Sequence, residues 1–107
     1  MDDSIFVRFF GGSPFIRIVD VFIDNISSDF SKKQVQELAG ISKAALFRHW
    51  NKIEELKLVR TTRIFGKTKF YALDTKSPVV KKLFPLDWAL AEAAAPKTKR
   101  KIAAMAR

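Results

Sequence analysis

The stretch from Ser31 to Ser42 restricts the fold of this chain more than any other feature. Ser31 stands three residues before Gln34, the spacing of a capping box. In that arrangement a serine hydroxyl and a glutamine side chain each satisfy an orphan N–H at a helix start. Val35, Leu38 and Ala39 then give the helix its apolar stripe, and Gly40, free to take positive φ, ends it. Only Gly40-Ile41 separates this end from Ser42, a second N-cap. The next helix runs from Lys43 to about Leu56, with Leu46, Trp50, Ile53 and Leu56 on one face. Two short helices joined by so tight a turn, with an apolar residue inside it, read as a helix-turn-helix.

The flanks complete the architecture. Ser13-Pro14 caps and opens an earlier helix to about Asn25, with Phe15, Ile18, Val19, Phe22 and Ile23 at helical spacing. Residues 4–10 are apolar without a clear period and read as a short strand or a packed helical turn, closed by Gly11-Gly12. Ser27, Ser28 and Asp29 mark a loop, and Phe30 a short anchoring strand. Leu58–Ile64 and Thr68–Leu73 flank Phe65-Gly66-Lys67 and predict a β-hairpin. Ser77-Pro78 opens a last helix, which Pro85 is expected to kink or break and Pro96 to end. The expected fold is mainly α with a small hairpin wing, a winged helix-turn-helix. It divides into an arm at 1–12, the DNA-binding domain at 13–76, a dimerisation helix at 77–95 and a basic tail at 96–107.

Charge points to the partner. The net charge is +9, unevenly spread. Residues 1–31 sum to −3 (2 − 5), residues 32–76 to +7 (11 − 4) and residues 77–107 to +5 (7 − 2). Such a basic middle and tail suit a polyanion. No apolar run approaches the roughly 20 residues of a membrane span, and Asp2-Asp3 is unlike the basic start of a signal peptide. The expectation is a soluble protein of the cytoplasm, associated with the nucleoid. With no cysteine and a single histidine, His49, no metal site of the usual kind can be assembled from one chain. His49 lies beside an apolar stripe and reads as a hydrogen-bonded structural residue. Glu54 and Glu55 are adjacent and point to different helix faces, unlike a catalytic pair. Gly11-Gly12 is no phosphate-binding loop. Neither an enzyme nor a cofactor is expected.

Several stretches together carry a family resemblance: Ser13-Pro14; Ile41-Ser42-Lys43 with Arg48-His49-Trp50; Glu54-Glu55-Leu56-Lys57-Leu58-Val59; Gly66-Lys67-Thr68-Lys69-Phe70-Tyr71-Ala72-Leu73; and Ser77-Pro78-Val79-Val80-Lys81. In order and spacing they resemble the archaeal winged helix-turn-helix transcriptional regulators of MarR/ArsR-like type, from about Phe9 to Leu90. The sequence departs from that pattern at Trp50, where an aliphatic residue is usual, and at Pro85. The resemblance implies a DNA-binding regulator, commonly dimeric through terminal helices.

In this architecture the second helix of the motif enters the major groove. Subtracting its apolar stripe leaves Lys43, Ala44, Phe47, Arg48, Asn51 and Lys52 as the reading face. Arg48 suits guanine, Asn51 adenine, and Ala44 and Phe47 thymine methyl groups. For Phe47, core packing and DNA contact fit equally well, and a ring that large also suits packing on the wing. Ser42 caps this helix beside a place where phosphate would sit. Lys32, Lys33 and the wing residues Arg63, Lys67 and Lys69 suit phosphate contacts, with Arg60 nearer the wing's base.

Apolar residues spread around much of the last helix, and Val80, Leu83, Phe84 and Leu90 are expected at a two-fold interface, with Ile5, Phe6, Phe9 and Phe10 as a second contributor. The alternative is that Pro85 folds the helix back and buries everything within one chain. The functional expectation is a homodimeric, sequence-specific regulator on double-stranded DNA. The alternative is an architectural, plasmid- or chromosome-maintenance or protein-interaction module. The sequence names no small-molecule effector.

Overall fold

Four serines start four of the five helices. Ser4, Ser13, Ser31 and Ser42 each accept, through Oγ, an N–H from the residue three positions on, which relieves one of the orphan donors of a first turn. The computed structural model describes residues 3–94. They form α1 (Ile5–Phe10), α2 (Pro14–Asp24), α3 (Lys32–Ala39), α4 (Lys43–Glu55), β1 (Val59–Phe65), β2 (Thr68–Leu73) and α5 (Pro78–Ala94). The expected basic tail, 96–107, lies outside the described residues.

Gly40 ends α3 at φ +67°, and the Ile41 N–H turns back to the Gln36 carbonyl at 3.3 Å. That reversal closes the last turn of the helix without a side chain in the left-handed region. Ile41 then packs on the core, so the turn is anchored at its centre. The core is built from one stripe per element: Ile18, Val19, Phe22 and Ile23 of α2, Val35 of α3, and Leu46, Trp50 and Ile53 of α4. Leu58, Tyr71 and Leu73 close it from the hairpin, and Phe6 and Val80 from the two ends of the chain. Phe30 pairs with Tyr71 through an isolated antiparallel bridge, exchanging two N–H···O bonds of 2.8 Å. This one residue extends the two-stranded sheet and ties the loop after α2 to β2.

Of the two readings of residues 4–10, the packed helical turn holds: Ile5–Phe10 form α1, whose Phe6 and Val7 are buried. Four expectations change. Leu38, assigned to the stripe of α3, is 59% exposed; a two-turn helix buries only its Val35–Ala39 row here. Leu56 is also exposed, because the chain already turns away at Lys57, a residue at φ +55°. Val80, expected at a dimer contact, is 2% exposed and belongs to the core of this chain. Finally, α5 runs unbroken through Pro85. Pro85 and Lys81, whose carbonyl loses its helical partner, both stand at exposed positions, so water can replace the missing N–H.

A shallow groove at the C-terminal end of α3 is lined by Asp3, Arg17, Asp20, Asp24 and Leu38. Asp20 accepts a 2.7 Å bond from the Ser4 hydroxyl, and Arg17 pairs with Asp3 at 3.2 Å. Burial raises the carboxyl pKa of Asp20, Asp24 and Asp87 above the ordinary carboxylate value, and mutual repulsion among the three raises it further. A raised folded pKa means that the folded state holds protons the unfolded chain has released. These groups therefore oppose folding at neutral pH and cease to do so as pH falls toward the ordinary carboxylate range. Asp87→Asn is expected to melt at a higher temperature than the wild type at pH 7, with the difference shrinking toward zero as the pH approaches about 4. Circular dichroism melts of both proteins across that range check it; a constant difference would refute the assignment.

Candidate nucleic-acid interface

The register of α4 is fixed by burial on one side. Ala45, Leu46, Trp50 and Ile53 are buried, while Lys43, Ala44, Phe47, Arg48, Asn51 and Lys52 are all exposed. The exposed six form two i, i+4 rows, Lys43–Phe47–Asn51 and Ala44–Arg48–Lys52, and hence one continuous face. Ser42 serves as the N-cap, accepting the Ala45 N–H at 3.1 Å.

Phe47 is 49% exposed and lies on this face, outside the core. The ammonium groups of Lys32 and Lys43 approach its ring to 5.5 Å and 5.9 Å. Lys32 also lies 5.4 Å from the Trp50 ring, so its stem crosses from α3 to α4. At the far end of the face the Lys52 ammonium lies 5.1 Å from the Phe15 ring. Such cation–π contacts position long basic side chains without neutralising them.

Lys32 connects this face to a second feature. A groove of about 440 Å³ runs between the start of α3 and the wing, lined by Ser31, Lys32, Lys33, Lys67, Thr68, Lys69 and Tyr71. Lys32 and Lys33 are the first two residues of α3, the positive end of its dipole, where acidic residues normally stabilise a helix. The cations add to that potential where the fold alone would favour anions. Four lysines and a helix terminus thus meet in one trough.

Arg63 has a different place. A β-bulge between Thr61 and Arg63 leaves Thr62 without a strand partner and re-aims the side chains beside it. The Thr62 hydroxyl donates to Asp29, Arg63 Nε donates to the same carboxylate at 3.0 Å, and the guanidinium stacks 4.1 Å from the Phe70 ring centroid. The Thr62 hydroxyl, and then Arg63, hold the Asp29 carboxyl below its ordinary pKa. This cluster braces the root of the wing against the loop after α2. Arg60 lies on the same side, lining a groove with Asp29 and Thr62, away from the lysines.

His49, expected to be hydrogen-bonded, packs edge-to-face on Phe15, ring centroids 6.3 Å apart. Among the described residues no three His, Cys, Asp or Glu side chains come together to hold a metal ion, and no helix is long and apolar enough to cross a membrane. Thr68 and Tyr71 in the lysine groove, and the Asp29 brace, escaped the sequence reading. Tyr71 lies in a strand read only for its apolar pattern, and Asp29 meets its partners more than thirty residues away.

The arrangement of three helices, a helix-turn-helix and a hairpin recurs in solved structures. The chain superposes on Sso10a-2, a DNA-binding protein from Sulfolobus solfataricus, with TM-score 0.51 and 14% identity over 85% of this chain and 94% of that one. It superposes on the apo C30AH42A mutant of Lactococcus lactis ZitR with TM-score 0.51 and 16% identity over 92% and 83%. The fold is a winged helix-turn-helix. No family model matches the sequence, and no curated protein does. Within the winged helix, α4 is the second helix of the helix-turn-helix, β1–β2 is the wing, and α5 is a further helix packed on α1.

Proposed function

We propose that this winged helix is a homodimeric, sequence-specific transcriptional regulator that binds double-stranded DNA. One observation carries the reading. The exposed face of α4 is continuous, through Lys32, with the trough holding Lys33, Lys67 and Lys69. A helix face with Arg48, Asn51 and Ala44 suits the edges of bases in a major groove. The lysines flank it where the sugar–phosphate backbone would run, and backbone contacts of this kind set register without reading sequence. Arg63, already paired with Asp29, braces the wing and leaves the phosphates to Lys67 and Lys69. The Sulfolobus protein of the same fold is a DNA-binding protein, in keeping with this reading. The site of action is the nucleoid in the cytoplasm.

The dimer rests on the apolar residues that α5 leaves exposed on the two flanks of its buried row, Val79 and Leu86 on one and Phe84 and Trp88 on the other, with Leu83 and Leu90 half-buried. Phe9 and Phe10 of α1, on which α5 packs, are exposed as well. A two-fold contact through this surface pairs the patch with itself. It places two recognition helices on half-sites about 34–36 Å apart or a multiple of that.

Selection of bound sequences from a pool of random duplexes tests the proposal. An inverted repeat with that spacing is the expected product. Enrichment of a single unrepeated site would remove the dimer from the reading. A pool that binds without any enrichment would replace the regulator with an architectural protein.

A further inference from the structure

Phe65 is 76% exposed, more than any other large apolar side chain among the described residues. It stands at the last paired position of β1, opposite Thr68, with only Gly66 and Lys67 between them. Gly66 takes φ +63° and Lys67 stays at negative φ, as in a two-residue type II′ turn. So tight a turn leaves nothing beyond Phe65 that could cover it. Ile64, beside it, is 62% exposed. Burying a phenylalanine stabilises whatever encloses it, and the wing forgoes that in the free protein.

The surroundings say what covers the ring. Lys67 and Lys69 lie within four residues of it and open onto the lysine trough, itself joined to α4 through Lys32. A protein partner is disfavoured there, because lysine is depleted in protein interfaces. A phenyl ring framed by phosphate-seeking cations suits the floor of a DNA groove. The wing is also stiff enough to hold the ring in place, with Arg63 fixed between Asp29 and Phe70 at its root.

We propose that Phe65 is a wedge: with α4 in the major groove, the wing lies over the neighbouring minor groove and the ring enters between two base pairs. The inference rests on the DNA-binding reading and deepens it. Apolar side chains used this way partly unstack a step and kink the duplex by about 20–90° toward the major groove. Pyrimidine–purine steps, TA above all, yield most readily. The protein therefore bends DNA at the wing and favours a flexible step there, without a hydrogen bond to either base.

The test uses the full chain and two 30-base-pair duplexes carrying fluorophores at their ends. One has a run of pyrimidines followed by purines, so its single pyrimidine–purine step is a central TA. The other has purines first and no such step. At saturation in low salt, energy transfer is expected to rise on the TA duplex, in line with a bend of about 20° or more, and less on the other. Phe65→Ala should remove the rise while still binding, and Phe65→Leu, which keeps an apolar wedge, should retain most of it. An unchanged rise with Phe65→Ala overturns the wedge and leaves DNA binding standing. Failure of the wild type to bind either duplex overturns both readings.

Discussion

Replacing Lys32, Lys33, Lys67 and Lys69 together by alanine is expected to weaken binding to duplex DNA at least about a thousandfold at roughly 0.15 M salt. The magnitude follows from counterion release. Each phosphate neutralised by a lysine contributes about −0.9 to the slope of log K against log salt, close to a fivefold factor in affinity at that salt. Two protomers bring about eight such contacts, so the wild-type slope is expected near −7 and the variant slope near zero. The substitutions lie in an open trough and remove no core side chain, and Lys32 gives up only its approach to the Trp50 ring, so the melting temperature should fall modestly at most. Removing Lys32 and Lys33 from the positive end of α3 even relieves a local repulsion. Arg48→Ala provides the contrast: a loss of about 1–3 kcal/mol concentrated at particular base pairs. Fluorescence anisotropy titrations at several salt concentrations separate the two effects. A slope that survives the fourfold change would place the phosphates elsewhere on the molecule.

Trp50→Ala is expected to destabilise the fold by about 3–5 kcal/mol, the range for deleting a large buried aromatic. Domains of this size are stable by about 5–15 kcal/mol in total, so a large part of the variant population should be unfolded at modest temperature. The reason is position. Trp50 is fully buried, meets Tyr71 edge-on with centroids 5.0 Å apart and Phe22 at 6.3 Å, and lies beneath the Lys32 ammonium. It joins α4 to α2, to α3 and to the wing strand. Its indole N–H is buried with no hydrogen-bond partner, which costs stability wherever it occurs. Trp50→Phe discards that donor with the ring edge, and should cost far less than the alanine variant. Urea unfolding followed by circular dichroism measures both. Equal losses would mean that a phenyl ring recovers none of the packing that the indole supplies.

The parts of the fold that were readable in the sequence are those decided by neighbours along the chain. Ser31 with Gln34, Gly40 and Ser42 each act within one helical turn, so their positions announce helix ends without knowledge of the tertiary structure. The exposed face of α4 followed by subtraction, because a thirteen-residue helix shows its buried stripe clearly. Shorter or more apolar segments resisted the same logic. α1 has six residues, almost all apolar, and no period to read. Leu38 looks like core in a helix too short to say which way its stripe points. Val80 has Val79, Leu83 and Phe84 as apolar neighbours, and only packing against the rest of the core tells the buried one from the exposed. The brace at Asp29 was beyond reach for another reason. It depends on a bulge at Thr62, which rotates the strand relative to a loop distant in sequence. Arg63 was therefore legible as a wing cation but not as a partner of Asp29.

Helix α3 is eight residues long, about 12 Å at 1.5 Å per residue, yet its ends belong to opposite electrostatic regions. Lysines crowd its start, and the groove holding Asp20 and Asp24 lies at its finish. A molecule polarised in this way does not tumble indifferently as it nears a polyanion. The torque on it turns the basic end inward while the acidic end is pushed outward, so a larger share of collisions arrive with α4 and the wing already facing the duplex. Long-range orientation of this kind raises association rates at low ionic strength, and it fades once the screening length, about 8 Å at 0.15 M, becomes shorter than the helix itself.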